Sequence, residues 1–373
     1  MKGLGVHHNG LSELRRDYLV DRFVVVPTEN GNGHGNGNGN EHDYIDGNAN
    51  GNGNGHGHTK RNGKCLYCRG NEHLTSPAVL AMVQKDGMYQ MLSDGEGDYI
   101  KDWSVRVFPS IRPAVSTAPN VSYGDAPLFK EPAYGFHYVV VAAPDHKQKL
   151  SNMPIDQWAN VLLVIQDRVK WLYAQKRVNY VSIFASYGKN GNSMSEHSHI
   201  DLITFPTIPP AILQEAEAAE RAMEDTGVCP VCNIVNVEAN GPREILSTQN
   251  FIAMCPWAPT FPYEFWIVPK RHSANFTSVT QMEINDLAMM LRSTLGGLCK
   301  TLKDAYFNLA FHLSPEKKNN TMIHWHVEVY PQISNWAGFE RAFGVYMSNI
   351  SPEHAARELK PNCREEFAKS VGI

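Results

Sequence analysis

HSHIDLITFP at 197–206 and HWHVEVYP at 324–331 decide the fold, because each closes a run of elements that occurs twice in the same order. In the first run a CxxC pair, Cys65 and Cys68 in CLYC, precedes FHYVVVAAPDH, which reads as a strand running to His146. A helix over 154–176, a strand YVSIFAS from Tyr180 and then HSHIDLITFP follow. In the second run Cys229 and Cys232 in CPVC lead to YEFWIVPKRH ending at His272, a helix over 281–303, FNLAFHLS from Phe307 and HWHVEVYP. The intervals from His146 to His197 and from His272 to His324 agree to within one residue. Four features repeated in one order predict two copies of one α+β unit, joined near 210–225 by a short helix. Apolar periodicity supports both long helices: Trp158, Leu162, Ile165, Val169 and Leu172 share one face, as do Ile284, Leu287, Leu291, Leu295, Leu298 and Leu302.

Outside the repeats, SELRRDYLVDRFVVVP at 12–27 reads as a turn entering a strand, and WSVRVFPSIRPAV at 103–115 as a strand ending in prolines. Residues 29–60, almost all Gly, Asn and His, have too little apolar surface to offset ordering entropy and read as a disordered insertion. The expected organisation is an N-terminal strand region (1–28), that insertion, a first domain (61–215) and a second domain (216–373). The chain has 373 residues, 42% hydrophobic, and 34 basic against 38 acidic side chains give a net charge of -4. That balance disfavours nucleic acid as the principal partner. No run of apolar residues is long enough to span a membrane, and the first residues lack a secretory core, so a cytoplasmic protein is expected. Seven cysteines, an odd number, point to thiols that do something other than pair; Cys255, Cys299 and Cys363 read as packed core thiols.

Each copy offers two thiols and two imidazoles, the ligand set of closed tetrahedral zinc. The candidate sites are Cys65, Cys68, His146 and His197, then Cys229, Cys232, His272 and His324. Four protein ligands leave no open position, so a structural role is expected and hydrolysis at the metal is disfavoured. Alternate strand residues share a face, so with His197 on the metal His199 is left free. A neutral imidazole whose other nitrogen donates to a carbonyl can attack phosphorus. The preceding loop, SYGKNGNSMSEH at 186–197, has the glycines, Lys189 and hydroxyl or amide side chains of a loop that gathers phosphate oxygens.

Taken together, CLYCRGNEHLTSPAVL, VRVFP, AAPDH, HSH, CPVC, VPKRH, HWHVEVYP and AGFERAFGVYMSNISPEHAAREL resemble the galactose-1-phosphate uridylyltransferase family of the histidine-triad superfamily. The resemblance runs from about Ser12 to the C-terminus, excluding the Gly/Asn tract. It implies two tandem histidine-triad-like domains, each an antiparallel sheet with a long packed helix. It also implies one zinc on the first ligand set, a second where a second CxxC is present, and His199 as the residue that forms a uridylyl-histidine. The reaction so implied is ping-pong: a nucleoside diphosphate sugar gives its nucleotidyl group to His199, and a sugar 1-phosphate then takes it. Supporting positions implied with less specific motifs are Arg15, Ser186, Lys189, Asn190, Ser193, Phe339, Glu340, Gly344 and Tyr346. A homodimer is implied by the family alone.

The departures from the family pattern cluster around the nucleophile. Where the family has a glutamine that donates to phosphate, this chain has Asp201, and an ionised carboxylate cannot donate and repels phosphate. Either Asp201 is protonated, or it turns to a cation, or the substrate or reaction differs. Ser186 replaces an asparagine, Met194 a serine, and Ser110-Ile111-Arg112 an asparagine-containing turn. His326 stands in the second copy where His199 stands in the first, so a transfer of the nucleophile to His326 is the alternative to packing and substrate roles for Trp325 and Glu328. Two other functions compete with the transferase: a nucleotide-sugar phosphorylase or hydrolase on the same fold, and a non-catalytic zinc-stabilised module that binds a nucleotide or a protein.

Overall fold

The computed structural model describes residues 12–16, 23–27, 60–61, 64–119, 123–188, 195–315 and 323–372. The insertion at 29–60 lies outside them except for its last residue, which belongs to a strand. In the first half the strands are β1 (Ser12–Arg16), β2 (Phe23–Pro27), β3 (Lys60–Arg61), β4 (Lys64–Cys65), β5 (Leu80–Lys85), β6 (Met88–Leu92), β7 (Trp103–Pro109), β8 (Lys130–Pro132) and β9 (His137–Val141). Helix α1 (Ile155–Tyr173), β10 (Tyr180–Tyr187) and β11 (His199–Phe205) complete that half. Helices α2 (Pro210–Thr226) and α3 (Pro230–Glu238) lead to β12 (Glu244–Ser247), β13 (Phe251–Met254), β14 (Phe265–Pro269), α4 (Gln281–Thr301), β15 (Phe307–His312) and β16 (His326–Pro331). The chain closes with α5 (Gly338–Phe343) and α6 (Pro352–Ser370).

The repeat is real in three dimensions, and the two copies fuse their sheets. Eleven strands form one sheet in the order β12-β13-β14-β16-β15-β10-β11-β9-β7-β5-β6, antiparallel throughout. Apart from the extra edge strand β6, the order is symmetric about the β10/β15 seam, where Phe184 pairs with Ala310 and Ser186 with Asn308. Sequence reading anticipates two sheets, not their junction, because a seam between copies leaves no local pattern. Gln166 on α1 ties the halves further by donating to the Val279 and Phe276 carbonyls.

Both long helices pack on one face of this sheet. Trp158, Leu162, Ile165, Val169 and Leu172 of α1 and Ile284, Leu287, Leu291, Leu295 and Leu298 of α4 have no exposed surface, and all lie in one apolar core. Each such side chain contributes about 1.5–3 kcal/mol on burial. A reciprocal capping box between Thr280 and Glu283 starts α4. The strands alternate with period two: Ile200 and Leu202 of β11, Ile183 and Ala185 of β10, Leu309 and Phe311 of β15, and Val327 and Val329 of β16 join that core. Their neighbours, among them His199, Asp201, Phe184, Ser186, Asn308, His312, His326 and Glu328, therefore share the opposite face. Leu14 of β1 packs with Ile203 and Phe184, which lays the small β2-β1-β8 sheet against that second face.

Several elements escaped the sequence reading. SELRR is a strand, not a turn, and pairs with both β2 and β8. The β5/β6 hairpin turns at Asp86 and Gly87, with φ of 52° and 78°, a turn whose Asp-Gly signature was available in the sequence. The strands read as ending at His146 and His272 stop at Val141 and Pro269, since both histidines must leave the sheet to face cysteines. Among the described residues no helix is long and apolar enough to cross a membrane. Phe311 sits at the seam, pairs with Ile183 and is 2% exposed. Phe311→Ala is expected to cost about 3–5 kcal/mol, read as a lower denaturant midpoint at unchanged m value.

Candidate functional site

The two cysteine and histidine groups assemble as the repeat predicts. In the first, the metal-ligating atoms of Cys65, Cys68, His146 and His197 all lie within 4.8 Å of one another. His197 Nδ1 is 3.6 Å from both sulfurs, and His146 Nδ1 is 3.6 Å from Cys68 Sγ. In the second, Cys229, Cys232, His272 and His324 satisfy the same limit, with Cys232 Sγ 3.4 Å from each imidazole Nδ1. With metal–sulfur bonds near 2.3 Å and metal–nitrogen bonds near 2.0 Å, a tetrahedron has a sulfur–nitrogen edge of roughly 3.6 Å, so both groups can hold a four-coordinate metal.

The surroundings prepare the ligands. His197 Nε2–H donates to the Ala143 carbonyl at 2.7 Å, which leaves Nδ1 as the lone pair aimed at the thiols. The Pro269 carbonyl occupies the equivalent place beside His324, outside hydrogen-bond geometry. Burial pushes His197 and His324 down to about 4, so both rings are neutral, the form that coordinates. Burial and the neighbouring thiol push Cys68 up to about 12 and Cys232 up to about 11 in the absence of a cation.

His199 follows at the start of β11 on the face away from the helices. Its Nδ1–H donates to the His197 carbonyl at 2.7 Å, which fixes the tautomer and leaves the Nε2 lone pair available. The Tyr67 ring, from inside the CLYC motif, stands edge-on 5.4 Å away, so the cysteine loop also builds one wall of the site. Burial, then Asp201, raise the Tyr67 phenol well above its usual value, and it stays protonated. Among the described residues Asp201 turns to no lysine or arginine. Its Oδ1 accepts from His137 Nε2 at 3.3 Å, and its Oδ2 lies 3.8 Å from His199 Nε2. His137, the first residue of β9, was not singled out in the sequence; its signal is registration, since β9 pairs with β11 and only the fold reveals that pairing.

His326 is differently engaged. Its Nδ1–H donates to the His324 carbonyl at 3.1 Å, as in the first copy, but its Nε2 is taken by Glu328 Oε1 at 3.1 Å and its ring stacks on Trp266. Glu328 also accepts from the Tyr330 hydroxyl. With Glu215 and His312, whose Nδ1 is 2.7 Å from Glu215, these two residues make a third group able to hold a metal, of nitrogen and oxygen donors that suit a harder cation than the thiolate sets. Glu215 and His312 were missed because one lies on the connecting helix and the other on a separate strand.

The other positions divide. Ser186 lies half-buried on the same sheet face, paired with Asn308, whose side-chain oxygen is buried without a protein partner. Lys189, Asn190, Ser193 and Met194 lie outside the described residues. Arg15 is exposed on β1, beside Leu14. Glu340 caps α5 by accepting from the Ala337 N–H, and Gly344, with φ of 65°, ends it. Phe339 and Tyr346 are exposed; the segment hangs on the second half through Trp336, which contacts Tyr346 and Phe261, and Phe261 in turn meets Tyr330.

The duplicated fold places a tautomer-fixed imidazole two residues beyond a histidine that could ligate a metal. No family model matches the chain. It is 26% identical over 307 residues to ADP-glucose phosphorylase of Arabidopsis thaliana, covering 79% of this chain and 81% of that protein. It is 27% identical over 263 residues to galactose-1-phosphate uridylyltransferase of Thermotoga maritima, covering 68% and 81%. A solved uridylyltransferase shares the fold at a TM-score of 0.75 and 22% identity, over 95% of this chain and 99% of that one. The chain is thus similar to galactose-1-phosphate uridylyltransferases and to an ADP-glucose phosphorylase, enzymes that transfer nucleotidyl groups.

Gly188 leads into the loop before His197 with φ of 86°, and a Cβ there would lie 1.7 Å from the Tyr306 ring. Gly188→Ala is expected to cost more than about 1–3 kcal/mol, because left-handed strain and a clash add, and a urea midpoint measures it.

Proposed function

We propose that this chain is a nucleotidyltransferase acting on a nucleoside diphosphate sugar through a covalent nucleotidyl-His199. The observation that carries the reading is the His199 Nδ1–H bond to the His197 carbonyl, with Nε2 left without a hydrogen-bond partner among the described residues. Nε2 attacks the α-phosphorus; the N–P bond forms, the P–O bond to the sugar phosphate breaks, and the sugar 1-phosphate leaves with the electron pair. Dividing the transfer in two lowers each barrier. The charge on the non-bridging oxygens falls to the amides and polar side chains of the loop carrying Lys189, Asn190 and Ser193. The uridylyltransferase type takes UDP-glucose as donor and galactose 1-phosphate as acceptor, within galactose metabolism. Likeness to ADP-glucose phosphorylase supports a second reading, with inorganic phosphate as acceptor.

Zinc is the metal proposed for both cysteine and histidine sets, Cys65, Cys68, His146 and His197 and then Cys229, Cys232, His272 and His324. Bound there it supplies fold stabilisation and holds the strand that presents His199. A homodimer in the cytoplasm completes the reading; the exposed apolar residues Phe343, Val345 and Met347 support an association of two copies.

Intact-protein mass after incubation with a panel of nucleotide sugars tests the reaction. A gain of one nucleoside monophosphate is expected for wild type and His326→Ala, and none for His199→Ala. No adduct with any donor in metal-replete protein that still binds nucleotide would favour the non-catalytic module. Cys65→Ser and Cys229→Ser should each release about one zinc and lower the melting temperature, measured by metal analysis beside thermal unfolding; full metal content in both would refute the ligand sets.

A further inference from the structure

The fixed geometry around Asp201 restricts what can approach it. The Ala114 N–H donates to His137 Nδ1 at 3.1 Å, so that nitrogen is an acceptor and the ring hydrogen sits on Nε2. That Nε2–H is directed to Asp201 Oδ1. His137 thus orients the carboxylate as a neutral donor and does not cancel its charge. The Asp201 side chain keeps 17% of its surface open, against 5% for His199, so it is the carboxylate an incoming molecule meets beside Nε2.

A carboxylate offers acceptors only, so an oxyanion can settle against it only by bringing a hydrogen of its own. Inorganic phosphate keeps a P–OH throughout the physiological pH range. A sugar 1-phosphate, a monoester whose second ionisation falls at about pH 6, has none left on its phosphate. The residue that the family resemblance places here is a glutamine, which can donate to either.

We propose that Asp201, oriented by His137, selects inorganic phosphate over a sugar 1-phosphate as the acceptor of the second half-reaction. The inference rests on the nucleotidyl-His199 reading and names its second substrate. An unprotonated oxygen of hydrogen phosphate attacks the α-phosphorus; the O–P bond forms, and the P–Nε2 bond breaks with its electron pair returning to Nε2. The P–OH hydrogen stays on the phosphate, bonded to Asp201, and a nucleoside diphosphate leaves. The same carboxylate repels the sugar 1-phosphate released in the first half-reaction and favours its departure over its return. Asp201 is the specificity residue and His137 a positioning residue.

The test loads full-length protein with UDP-glucose or ADP-glucose, quantifies the adduct by intact mass, and then discharges it above neutral pH with phosphate, galactose 1-phosphate or glucose 1-phosphate. Wild type is expected to favour phosphate in kcat/KM by at least about tenfold, and Asp201→Gln to erase that preference. Sulfate, which carries no hydrogen, should compete poorly in wild type and inhibit Asp201→Gln. His137→Ala should raise the KM for phosphate more than it lowers kcat, and His137→Gln, whose amide also donates, should restore part of the loss. An adduct that wild type passes to a sugar 1-phosphate or to water faster than to phosphate, or a preference unchanged in Asp201→Gln, overturns this inference alone. Absence of any adduct overturns the covalent reading, and this inference with it.

Discussion

Antiparallel pairing across the β10/β15 seam is the constraint on which the rest depends. It joins two copies of one unit into a single eleven-stranded sheet, and side-chain alternation then runs in phase from β9 to β16. A one-residue slip would send Ile200 and Leu202 to the site face and His199 and Asp201 under α1, so the apolar core enforces the register that presents His199. The placement of His199 is a by-product of core packing.

The first cysteine and histidine group and the His199 imidazole share one short segment. His197 ends its loop by donating to Ala143 and facing two thiols, and its carbonyl then accepts from His199. One backbone unit therefore links the cysteine and histidine group to the tautomer of the histidine two residues on. The second copy keeps that relay at His324 and His326 but occupies the free nitrogen with Glu328. Duplication has left two equivalent positions with different chemistry, one imidazole with an available Nε2 and one bound into a carboxylate cluster.

Much of this was legible beforehand. The paired CxxC motifs, the repeated histidine interval and the two amphipathic helices carry local signatures, and each reappears where it was read. The β5/β6 hairpin also carries a local signature, in Asp86-Gly87. His137, Glu215 and His312 were not legible, because each meets its partner on a strand or helix far away in sequence. Asp201 lies between: its oddity is visible in HSHID, but its partner is not.

By itself the sequence determined the repeated order of elements and the two groupings of cysteine and histidine, and it pointed to His199, since spacing and residue type are local properties of the chain. Only the tertiary structure decided that the two sheets become one, that Asp201 is answered by His137, and that His326 is tied to Glu328. Those outcomes depend on strand order and register, which arise from long-range pairing and from the demand that every apolar stripe find cover.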